Sequence, residues 1–163
     1  MSEPKKREYF DLKKFARDIS RCREDKGYTQ EEMAAYLGVQ RHAILRYEEE
    51  SNIPTPDNLF RICAILGLDP NDYRIKTSQD NEKDCNETEK ENPLPVFDNE
   101  AFRHDLREAR LNRNLRQDDL VPYDINRTVY GTIERTGKLS TEMLYKLSDI
   151  LHITDLGKYI KRQ

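Results

Sequence analysis

"TQEEMAAYLGVQRHAILRYEEE", residues Thr29 to Glu50, reads as two short helices joined by a tight turn. Thr29 and Glu32 stand at the spacing of a capping box, in which each side chain satisfies a backbone N–H at the start of the first helix. Gly38 supplies the turn, since a left-handed backbone there suits a residue without a β-carbon. The second helix runs from Gln40 to Glu48. Met33, Leu37, Val39 and Ile44 form a small core that would fix the angle between the helices, and Ala34 is small where they must cross closely.

Outward from this pair, the neighbouring segments are helical too. Leu12, Phe15, Ile19 and Cys22 recur at helical spacing and end at Lys26-Gly27, with glycine where a C-terminal cap belongs. Thr55 is an N-cap with Pro56 at the first helical position. Leu59, Ile62, Cys63 and Leu66 follow, stopped by Gly67, and Asp69-Pro70 starts a last short turn. That predicts five helices and no convincing strand.

A second stretch, "RQDDLVPYDINRTVYGTIERTG" from Arg116 to Gly137, echoes the first. Phe102, Leu106 and Ala109 match Phe15, Ile19 and Cys22; Gln117, Asp119 and Leu120 match Gln30, Glu32 and Met33; Ile133-Glu134 matches Tyr47-Glu48. Leu144, Leu147 and Leu151, behind Ser140 as cap, match Leu59, Ile62 and Leu66. Caps, glutamine, glutamate and loop order recur together, which makes this a tandem duplication. The copy is worn. "YDIN" replaces the turn glycine, Pro122 falls late in the second helix where it would break or shorten it, and Gly131 weakens the third. Asn126, however, caps that third helix better than Gln40 caps its counterpart.

Between the copies, Lys76 to Pro95 carries three lysines against six acidic residues, with Leu94 its one bulky apolar side chain. Such a segment buries too little to offset its ordering entropy and reads as a flexible acidic linker. The expected organisation is therefore all-α, with domains at 1–75 and 96–163 flanking a linker at 76–95. The net charge of -3 is almost all in the linker, for the flanks hold 13 basic and 14 acidic residues, then 12 and 11. A near-neutral domain still binds DNA if its charges segregate onto one face. Cys22, Cys63 and Cys85 are odd in number and far apart, which argues against a disulfide framework or zinc site. No apolar run spans a bilayer, "MSEPKKREYF" has no apolar secretory core, and a reducing cytoplasm is the expected setting.

Residues 12 to 73 resemble the phage-repressor/Cro-type helix-turn-helix family, which includes xenobiotic-response-element regulators. The Thr-Gln cap, Ala34, Gly38, Ile44, the Tyr47-Glu48 pair and the helix after it all appear in order. The resemblance implies two small lambda-repressor-like helix-turn-helix domains that bind double-stranded DNA. The helix 40–48 would enter the major groove with Gln40, Arg41, His42 and Arg46 exposed, and Leu45 placed for a thymine methyl or for packing. Gln30 would meet a phosphate and, by resemblance, touch Arg41. Arg23 with Glu48 matches a structural ion pair of the family, and Arg110 with Glu134 is its echo. In the copy, a second head at 126–134 would read with Asn126, Arg127 and Thr128, behind Gln117.

The leading expectation is a sequence-specific transcriptional regulator, a repressor, of a bacterium, phage or plasmid. It needs no cofactor or metal, and no small-molecule effector is evident. The three histidines are scattered and no phosphate-binding glycine loop appears, so an enzyme is not expected. The other reading is a protein- or RNA-interaction protein, inhibitor-like or antitoxin-like, whose second domain serves a partner or oligomerisation. Self-association as a homodimer or higher oligomer stays open; the apolar tail Leu156, Tyr159 and Ile160 points either to it or to a domain core.

Overall fold

The computed structural model describes residues 9–75 and 96–161. The expected linker at 76–95, with Cys85, and the basic residues Lys5, Lys6 and Arg7 lie outside the described residues.

Most described residues are helical. In the first half, α1 (Leu12–Asp25), α2 (Gln30–Leu37), α3 (Arg41–Glu48) and α4 (Pro56–Leu66) lead to a 3₁₀ turn at Pro70–Tyr73. The local signals act as expected. Thr29 and Glu32 complete the capping box at α2, and Thr55 accepts from Asn58 ahead of Pro56. Gly38 (φ 69°) and Gly67 (φ 69°) end their helices in the left-handed region. Gln40 makes no side-chain cap bond, in keeping with its poor fit for that position.

The second half runs β1 (Val96–Phe97), α5 (Asn99–Asn112), a 3₁₀ turn (Gln117–Tyr123), α6 (Arg127–Thr136), α7 (Thr141–Ile150), a 3₁₀ turn (Gly157–Tyr159) and β2 (Ile160–Lys161). The counterpart of α2 is thus a 3₁₀ turn containing Pro122. Proline removes a backbone donor and crowds the preceding turn, so a regular α-helix does not continue there. Asp124 takes the left-handed position of the missing glycine (φ 61°), and Asn126 caps α6 by accepting from the Thr128 N–H at 2.7 Å.

Two expectations need correction. The chain has short extended pairings after all: β1 and β2 pair antiparallel, and Phe10 bridges Arg74. These pieces are two residues long or less, too short to leave an alternating pattern in the sequence. The scattered cysteines argue against a disulfide framework, yet Cys22, fully buried, is disulfide-bonded, whereas Cys63 is a buried free thiol. The two halves, in addition, share a core. One continuous apolar cluster runs through both, from Phe10 and Phe15 to Leu156 and Tyr159.

Polar contacts tie the halves as well. Tyr145 Oη donates to the Pro70 carbonyl at 2.6 Å, the Leu156 N–H donates to Asn71 Oδ1 at 2.7 Å, and Thr141 Oγ1 donates to the Pro54 carbonyl. The Arg74 guanidinium donates to the Ile153 carbonyl. The apolar tail is absorbed here: Leu156 and Tyr159 are buried, and Ile160 lies in the β1–β2 pairing.

Candidate nucleic-acid interface

The angle between α2 and α3 is set from within. Met33, Leu37 and Ile44 are buried, Val39 packs against them, and Ala34 is buried at the crossing. A polar clamp then holds the end of α3. Arg23 Nε donates to Glu48 Oε1 at 2.6 Å and Arg23 Nη1 to the Tyr28 carbonyl at 2.8 Å, while Gln30 Nε2 donates to Glu48 Oε2 at 2.8 Å. The expected Arg23–Glu48 ion pair is present and nearly buried, its side chains 11% and 9% exposed. The expected contact between Gln30 and Arg41 is replaced: Gln30 turns inward to Glu48, and Arg41 pairs with Glu31 at 3.2 Å. A half-buried amide beside a nearly buried carboxylate stabilises it more than a contact at the solvent-exposed helix end would.

With the inner face occupied, α3 presents the rest outward. Gln40, Arg41, His42, Leu45 and Arg46 are all exposed. The Arg41–Glu31 pair is open to water on both sides, so it holds the guanidinium weakly and leaves it available to a stronger anion. Glu50 takes a left-handed conformation (φ 61°) in the loop after α3, where the sequence lacks a glycine.

The second half repeats the clamp. Arg110 Nε donates to Glu134 Oε1 at 2.8 Å, Arg110 Nη1 to the Leu115 carbonyl at 2.8 Å, and Gln117 Nε2 to Glu134 Oε2 at 3.0 Å. Burial acts to raise the Glu134 pKa, but hydrogen bonds led by Arg110 outweigh it and hold the carboxyl below its ordinary value. Asn126, Arg127 and Thr128 are exposed on α6, and Arg127 pairs with Asp118 at 3.6 Å as Arg41 does with Glu31. The surroundings differ: Val121, Tyr123 and Val129 are also exposed, and a cavity of about 270 Å³ opens beside Val129, Ile133, Leu139 and Met143. Of the residues the sequence singled out, Gln30 and Gln117 therefore brace carboxylates, and the other eight are solvent-facing.

A glycine-turned helix pair with a clamped, outward-facing second helix defines the helix-turn-helix class. Residues 19–73 match the family described as Helix-turn-helix, and they lie within the segment whose sequence resembles the phage-repressor/Cro type. A 62-residue stretch is 34% identical to the SPbeta prophage-derived uncharacterized HTH-type transcriptional regulator YonR of Bacillus subtilis (strain 168). The match covers 38% of this chain and 56% of that protein, so the chain spans about half the length of the curated relative it matches. No solved structure matches the chain. No helix among the described residues is long and apolar enough to cross a membrane.

Proposed function

We propose that this protein is a sequence-specific double-stranded-DNA-binding transcriptional regulator, acting as a repressor by occupying its operator, in a bacterium or mobile element. The observation that carries this reading is the exposed row Gln40, Arg41, His42 and Arg46, on a helix whose buried side holds Ile44 and Tyr47 and whose end is clamped through Glu48 by Arg23 and Gln30. Arg41 is the residue best placed to donate two hydrogen bonds to a guanine edge in the major groove. The kinship with a prophage regulator supports the setting. We take residues 1–75 and 96–163 as two helix-turn-helix domains, the second reading with Asn126, Arg127 and Thr128.

The test is binding of the full chain to duplex fragments at low and moderate salt. Binding should weaken linearly in log–log terms with salt as bound counterions are released. Arg41→Ala should cost roughly 1–3 kcal/mol on the preferred fragment and little on unrelated DNA. Salt-insensitive binding, or an unchanged preference in the variant, would sink the proposal.

A second reading draws on the exposed Val121, Tyr123 and Val129 and the apolar cavity beside α6. In that reading the second half serves a protein partner. Removing the side chain of Arg127 would then leave DNA preference untouched.

A further inference from the structure

The two halves meet in a reciprocal way. Phe10 packs on its own half's Phe15 and Tyr73, with ring centroids 5.4 and 6.2 Å away, and on Tyr145 of α7 at 4.9 Å. The backbone N–H groups of Tyr9 and Phe10 donate to Glu142, in the first turn of α7, at 2.8 and 3.4 Å. Phe97 packs on its own half's Phe102 and Tyr159, at 5.5 and 6.2 Å, and on Phe60 of α4 at 5.0 Å. Its backbone N–H donates to Asp57, in the first turn of α4, at 3.3 Å. Exchanging the halves carries Phe10, Tyr145 and Glu142 onto Phe97, Phe60 and Asp57.

The surroundings exchange with them. The Asp11 N–H donates to the Tyr73 carbonyl at 2.8 Å, and the Asp98 N–H to that of Tyr159 at 2.7 Å. Tyr73 Oη donates to Asp18 at 3.1 Å, and Tyr159 Oη to Asp105 at 2.8 Å. A contact in which each unit uses the same patch on the other is isologous, and isologous contacts belong to a two-fold relation. A head-to-tail placement would seat Phe10 on α7 without the return contact of Phe97 on α4.

We propose that the chain is a single-chain pseudo-dimer: one molecule reads two unlike half-sites, in inverted orientation and at one fixed spacing. This rests on the DNA-binding reading above, including the second head. A duplex has local two-folds of its own, and readers related by a two-fold meet it as an inverted pair. The docking faces of α4 and α7 are already spent on each other, so a second copy is not needed to complete the arrangement. The half-sites differ because the heads differ. α3 shows Arg41, His42 and Arg46, whereas α6 shows Arg127, Thr128 and Val129, the last suited to a thymine methyl.

The experiment is selection of duplexes from a random library with the full chain, followed by stoichiometry and spacing measurements. The expected product has two unlike boxes at constant separation, bound by one chain. Arg41→Ala should relax one box and Arg127→Ala the other. Inserting about five or about ten base pairs, half a turn or one turn, should each weaken binding about 100-fold or more as the second head loses contact. Recovery at the full-turn insertion would overturn the fixed spacing. A single box indifferent to Arg127→Ala, or a symmetric site holding two chains, would overturn the pseudo-dimer while leaving DNA binding intact. Failure to enrich any duplex would remove the DNA-binding reading itself, and the proposal with it.

Discussion

Arg23 and Arg110 each spend one guanidinium on two jobs, pairing a glutamate at the end of a helix and capping a carbonyl in the loop after their own helix. Because the partners are nearly buried, truncation strands a carboxylate. Arg23→Ala should lower unfolding stability by about 3–5 kcal/mol, read as a shift of the urea midpoint. Arg23→Lys keeps the charge but loses the fork, so it should recover only part of that loss. The Glu134 carboxyl has a folded pKa held below its unfolded one. The stability it contributes is therefore complete above the unfolded value, near 4.5, and fades as pH falls through the folded value. Glu134→Gln should flatten the acid limb of a stability–pH curve below about pH 5; an unchanged limb would refute the assignment. The arginine–glutamate pairs were legible in the sequence. The inward turn of Gln30 was not, because an amide's partner depends on which nearly buried acceptor lies in reach.

At the scale of elements, most starts and stops were decided by single residues. The second half shows single residues setting element boundaries: Pro122 lies in a 3₁₀ turn, Asp124 takes a left-handed conformation, and Asn126 caps α6. Gly131 remains a weak point inside α6. A β-carbon there would sit 3.5 Å from Gln117 Oε1, an ordinary contact, so alanine fits. Gly131→Ala should raise stability by up to about 1 kcal/mol, visible as a higher melting temperature. Asn126→Ala should lower it by about 1 kcal/mol through loss of the cap. The tiny strands escaped the sequence reading because a two-residue pairing has no periodicity to detect.

At the scale of the whole molecule, a shared core makes a thermodynamic claim. Phe10 and Phe97 each belong to the packing of both halves, so neither half can open without exposing the other. The full chain should unfold in one transition, with backbone and aromatic signals superimposing. Two resolved transitions would mean that the halves fold independently. Composition does not carry this: the wedge residues Phe10 and Phe97 decide docking, and nothing in their local spacing distinguishes them from ordinary core.

The sequence by itself determined the helices, their caps and the helix-turn-helix segment, since each is settled by contacts within one or two turns or by matching residue order. Only the tertiary structure decided that Gln30 faces Glu48, that the tail is core, and that the two halves clasp each other reciprocally. Those outcomes depend on contacts between residues apart in the chain, from 18 positions for Gln30 and Glu48 to 133 for Tyr9 and Glu142. Hydrophobic burial rewards any such meeting without direction, so the choice among partners lies in shape and hydrogen-bond geometry that exist only once the chain has folded.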